Sequence, residues 1–100
     1  MATVAAVEIG SLIEVDPSIR GGRPCLAGTG VSVHRVVGWY KLGLTPEDIA
    51  ERIGHLSLAQ VHAALTYYHA NQRRIDAEIA ADAAEAEALE REHRSARPDR

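Results

Sequence analysis

Apolar and polar positions change their rhythm several times along this chain, and each change marks an element. Ser11 to Val15, SLIEV, is a short run of strand formers, stopped at Asp16–Ser18 because proline has no N–H to give to a ladder. Two more β-compatible runs, PCL and VSV, flank Ala27–Gly30, whose glycines accept positive φ, so the segment reads as a hairpin or small β-arm. From Val33 the period becomes helical: Val33, Val36, Val37 and Tyr40 form one stripe, which Gly43 ends. In TPEDIAERIG, Thr45 caps with Asp48 at the third helical position, Pro46 suits the first, and Gly54 stops the helix. Ser57 and Gln60 form a second capping box, after which Leu58, Val61, Leu65 and Tyr68 share a face. Two capped helices separated by GHL, preceded by a third, have the spacing of a helix-turn-helix.

Beyond Asn71 the residues are nearly all strong helix formers, but the apolar stripe of Ile75, Ile79, Ala83, Ala86 and Leu89 is thin and largely alanine. A helix over Ile75–Glu92 would run about 27 Å. So polar a helix buries little against its own domain, which predicts a projecting arm for a second chain or a frayed tail. Arg94–Arg100 reads as a disordered end. The expected plan is mainly α: a three-helix helix-turn-helix core, winged or homeodomain-like, within 11–70, carrying an N-terminal β-arm. An extension over 1–10 precedes it, and the long acidic helix, 71–93, and a tail, 94–100, follow.

Charge sharpens the division. The net charge of −3 combines Arg20, Arg23, Arg35 and Lys41, with no acid between Pro17 and Pro46, and seven carboxylates against Arg91 alone between Ile75 and Glu92. Those stretches carry +4 and −6, as surfaces for different partners would. With no Phe and one Trp among 100 residues, aliphatic side chains and alanine must fill a modest core, which dimerisation would supplement. A lone cysteine allows no internal disulfide, and neither a basic leader nor a run of 18 apolar residues is present. The expectation is a cytoplasmic protein without membrane contact.

The glycine-rich segment, GGRPCLAGTGVSV, invites a phosphate-binding reading that its details refuse. A Walker loop needs Lys-Ser or Lys-Thr after its last glycine, and the dinucleotide fingerprint needs a third glycine where Val33 stands. Cys25, between Pro24 and Leu26, reads as a small buried hydrophobe, because no feature brings it a base. His62 and His69 lie two turns apart, too far to share a metal, and no carboxylate pair sits in an ordered apolar context. No catalytic residue, cofactor or metal is therefore expected, and recognition remains. If the third helix enters a major groove, Ala59, Gln60, His62, Ala63 and Thr66 face the bases beside the cap Ser57, with Gln60 competing for its capping role. From Ser57 to Asn71 there is no Lys or Arg, so affinity for DNA would fall to Arg20, Arg23, Arg35 and Lys41, doubled in a dimer.

LIEVDPSIRGGRPCLAGTGVSV together with GLTPEDIAERIGHLSLAQVHAALTYY resembles a small bacterial family, domain of unknown function 433, over Leu12 to Tyr68. The signature positions are Asp16, Pro17, Gly21, Gly22, Arg23, Pro24, Gly28 and Thr29. Two departures stand out: Gly30 replaces the usual arginine after Gly-Thr, and Gly54-His55 replaces the usual Tyr-Pro. The resemblance implies a helix-turn-helix core with a β-arm and no established catalytic residue. It also implies genes often set beside a PIN-like ribonuclease toxin, and similarity to the antitoxins of such pairs. The expected function is thus a dimeric antitoxin that binds operator DNA and neutralises a PIN-like toxin through its acidic helix, with Ile75, Glu78, Ile79, Asp82 and Leu89 on the toxin. The alternative is a dimerisation or protein-interaction module that never touches DNA, favoured by the lack of cations on the third helix. A small enzyme using Cys25 is the remaining reading.

Overall fold

The computed structural model describes residues 6–96, with the Arg20 and Ala96 side chains outside that description. Two compact units divide the chain, Met1–Ala70 and Asn71–Arg100.

In the first unit the strand expected over Ser11–Val15 contracts to two residues. The Ser11 N–H and Oγ both donate to the Glu8 carbonyl, at 3.0 and 2.6 Å, closing a 3-10 turn over Ile9–Leu12. Only Ile13–Glu14, strand β1, remains extended, and it pairs antiparallel with β2, Cys25–Leu26, in the register Ile13↔Leu26 and Glu14↔Cys25. On its other side β2 bridges from Cys25 to Ser32, with the Leu26 N–H donating to Val31 (2.8 Å) and the Val33 N–H to Pro24 (2.9 Å). The hairpin across Ala27–Gly30 therefore forms, but as the minor half of a sheet whose named partner is β1.

Helix α1, Val33–Lys41, starts where the Ser32 Oγ accepts from the Arg35 N–H. It buries Val33, Val36 and Val37 completely, while Tyr40 stays at the surface and Gly43, at φ 96°, turns the chain away. Helix α2, Pro46–Ile53, carries the full capping box between Thr45 and Asp48, and Gly54 closes it in the left-handed region at φ 82°. Helix α3, Leu58–Ala70, packs on both. Its core face is Val61, Ala64, Leu65 and Tyr68, and the expected Leu58 is not part of it, being 41% exposed. Leu56, immediately before the cap Ser57, is buried instead, together with Val61, the pair of positions that forms a hydrophobic staple. Leu26 from the sheet and Ile49 from α2 complete this interior, each burial contributing about 1.5–3 kcal/mol. The unit is thus a three-helix core with a small antiparallel β-element at its N-terminal side, a mainly-α fold.

In the second unit α4 runs from Gln72 to Ala96, about 37 Å of helix. It extends past the expected end at residue 93 and takes in Arg94–Ala96 of the expected tail; residues 97–100 lie outside the described residues. Strong helix formers and ion pairs from Arg91 to Glu87 (4.0 Å) and Arg94 to Glu90 (3.8 Å) carry it that far. Ile75 is buried and Ile79 half-buried, whereas every residue from Ala80 to Ser95 is exposed.

Candidate functional site

Local backbone chemistry accounts for the glycine-rich segment. The Asp16 carboxylate accepts from the Ser18 N–H (2.9 Å) and from its Oγ (2.8 Å), while the Ile19 N–H donates to the Asp16 carbonyl (2.9 Å), so Asp-Pro-Ser-Ile is a turn braced by its first side chain. Those two bonds, the backbone one foremost, hold the Asp16 pKa below its ordinary 3.8. Gly21 and Gly22, at φ 66° and 85°, then reverse the chain toward β2. At the next turn Thr29 Oγ1 donates to the Leu26 carbonyl (2.7 Å) and accepts from the Val31 N–H (3.0 Å). The Gly28 N–H, the donor a phosphate would seek, points to the Glu14 carboxylate at 3.2 Å. The signature residues Asp16, Pro17, Gly21, Gly22, Gly28 and Thr29 therefore shape a loop, and one of this chain's own carboxylates answers the exposed amide.

Cys25 is 1% exposed, its Sγ 3.5 Å from the Arg23 carbonyl, which closes the thiol to any outside electrophile in this conformation. Among the described residues no three His, Cys, Asp or Glu side chains are placed to hold a metal ion.

The outward face of α3 mixes small apolar residues with His62, Thr66 and His69 and carries no Lys or Arg. Ser57 and Gln60 are spent on each other: the Ser57 N–H donates to Gln60 Oε1 (2.8 Å) and the Gln60 N–H to Ser57 Oγ (3.1 Å). Ala63 is buried and offers nothing to a base edge; Ala59, His62 and Thr66 are exposed. Alongside them runs a groove of about 380 Å3, with Ile9, Gly10, Ile13 and Val15 on one wall and Ala63, Thr66, Tyr67 and Ala70 on the other. A second hollow of about 240 Å3, between Leu12, Ala59 and His62, shares Ile9, Ala63 and Thr66 with it. The pattern behind this groove was present in SLIEV, where Ile13 and Val15 alternate with Glu14, but which face of α3 they meet is a tertiary fact.

The four cations expected on DNA fall on two elements, the loop before β2 and helix α1. Arg35 is exposed on α1, Lys41 at its end lies over the Tyr68 ring at 5.7 Å, and Arg23 is half-buried in the loop. Arg20 falls at the start of the 3-10 turn Arg20–Gly22, and its side chain lies outside the described residues. A cation absent from that expectation, Arg52 of α2, covers the Trp39 ring at 5.2 Å. On α4, Glu78 pairs with Arg74 (3.4 Å), Asp82 and Leu89 are exposed, and Ile75, being buried, is not on the surface a toxin would touch. Among the described residues no helix is long and apolar enough to cross a membrane.

No curated protein matches the chain. A crystal structure of a DUF433 member protein from Anabaena variabilis ATCC 29413 is similar to it, with 27% identity and a TM-score of 0.65 over 70% of this chain and 69% of that one. The family model described as protein of unknown function (DUF433) matches residues 13–68, which runs from the first residue of β1 to the last core tyrosine of α3. The braced turn, the two left-handed glycine corners and the three capped helices are thus the structural content of that match, and the chain belongs to the DUF433 family.

Proposed function

We propose that this protein is a dimeric, non-enzymatic antitoxin that neutralises a PIN-like ribonuclease through α4 and contacts operator DNA with the remainder of the chain. The observation that carries the reading is the state of α4: sixteen consecutive residues, Ala80 to Ser95, are exposed, bearing Asp82, Glu85, Glu87, Glu90 and Glu92 around Leu89. An acidic helix with one large apolar side chain and no covering of its own has the chemistry to meet a basic groove, with Leu89 as anchor and carboxylates on cations or at a metal site. Glu78, Ile79 and Asp82 would extend that contact toward the start of the helix.

Co-expression with the product of the adjacent gene tests this. The full chain should capture a nuclease and silence it in a ribonuclease assay, while a truncation after Ile79, which keeps the buried Ile75 and removes the exposed run, should do neither. Capture of no nuclease, or equal inhibition by the truncated chain, rejects the reading.

For DNA, the same proposal relies on phosphate contacts from Arg20, Arg23, Arg35 and Lys41 of two copies rather than on bases read by α3. The apolar groove along α3 favours the second reading, an interaction module that touches no DNA. Binding to the chain's own upstream DNA, followed by fluorescence anisotropy between about 50 and 200 mM salt, separates the two. Operator contact predicts a steep loss of affinity with salt, weakened for all sequences alike by Arg35→Glu; no binding at low salt leaves the interaction module.

A further inference from the structure

We infer that the apolar groove along α3 is the dimer interface, and that a second copy of this chain fills it by pairing β1 against β1 antiparallel, with Ile13 opposite Ile13. Three observations carry this. Val7, Ile9 and Val15 are 71%, 70% and 58% exposed and are three of the largest apolar exposures in the first unit, all on the N-terminal segment. Ile9 and Val15 line the groove, whose lining is overwhelmingly apolar. Beside it β1 has β2 on one edge and, among the described residues, no strand on the other.

The occupant follows from symmetry. A two-fold interface uses the same patch on both copies, so the plug and the hollow it fills must lie on one face. Here Ile9 and Val15 are exposed and apolar, and they line the same hollow as Ala63 and Tyr67. A two-stranded pair is also too small a sheet to stand well alone, and a second pair added across the open edge makes four strands.

Backbone direction then fixes the register. The Leu12 carbonyl accepts from the Ala27 N–H (2.9 Å), so it points toward the β2 side. The trans peptide turns the Ile13 N–H the opposite way, and because Ile13 is extended (φ −117°, ψ 132°) its carbonyl follows its N–H to the open edge. Ile13 thus presents one donor and one acceptor outward, the requirement for a hydrogen-bonded pair with its own copy. Centring on Glu14 would instead oppose two carboxylates and use a residue whose N–H faces β2. With Ile13 on the axis, both copies set Ile13 and Val15 on the groove side and keep Glu14 on the other, where it holds the Gly28 N–H.

This surface deepens the dimeric part of the proposed function and none of the rest: ribonuclease capture by α4 can fail while the dimer stands, and the reverse. Sedimentation equilibrium of the full chain should give a dimer, and Val15→Glu should weaken its dissociation constant at least about tenfold with an unchanged far-ultraviolet spectrum, since Val15 is exposed in the single copy. Ile13→Cys should form a covalent dimer on mild oxidation, the Cα atoms of such a pair standing about 5.5 Å apart, within disulfide reach. A monomeric wild type, or a dimer indifferent to Val15→Glu, overturns the interface. Sensitivity to Val15→Glu without cross-linking at position 13 overturns the register.

Discussion

Asp16 holds two bonds from Ser18 that only its ionised form accepts fully, and its lowered pKa makes the turn a pH-dependent contribution to stability. The native state binds fewer protons here than the unfolded chain between the depressed and the ordinary pKa. The contribution is therefore complete above the ordinary value near 3.8 and disappears as pH falls through the depressed one. Thermal melts of wild type and Asp16→Asn should differ most at neutral pH and converge as pH falls below 3.8 through the depressed pKa. At Gly28 the expected effect is conformational alone. A Cβ there meets nothing within 4 Å, yet φ is +76°, so Gly28→Ala should cost about 1–2 kcal/mol in urea denaturation without any repacking. How much of this was legible depended on range. The Asp-Pro turn and the need for glycine at 28 and 30 are written within a few residues, whereas the carboxylate that meets Gly28 comes from Glu14, fourteen positions away, and no local pattern names it.

Helices were more legible than strands for the same reason. A capping box joins residues three apart, so Thr45 with Asp48 and Ser57 with Gln60 announce the starts of α2 and α3 directly. Thr45→Ala should cost about 1 kcal/mol by chemical denaturation. Ile49→Ala should cost about 2–5 kcal/mol, since Ile49 is wholly buried at the one point where α2 enters the core. The sheet was less legible because its length is set by competition: Ser11 favours a bond to the Glu8 carbonyl over ladder pairing, and two residues of strand survive. Leu58 misled for a tertiary reason, Leu56 taking the buried place through the staple at the helix start. Along α4, Leu89→Ala should leave the melting of the chain alone within about 0.5 kcal/mol, as surface truncations do, while weakening capture of the proposed ribonuclease partner. Loss of fold stability instead would mean that Leu89 is not the free anchor argued above.

At the scale of the molecule, chemistry and mass are separated: a first unit whose core is aliphatic and a second unit that is almost all surface. Composition made that separation readable, because the change to alanine and charge begins where the second unit does. It could not reveal the groove, which exists only once Ile9 and Val15 meet α3. The exposed pairs of α4 contribute about 0.3–0.5 kcal/mol each, so moderate salt should change its helicity little. One buried atom makes the first unit's motions countable. Cys25 is the only thiol in the chain and is sealed between β1 and the Ser32 bridge, so a colourless disulfide reagent can reach it only during an opening of the sheet. The rate at which native protein releases colour from that reagent is therefore a clock for those openings, set into the sequence without any added probe.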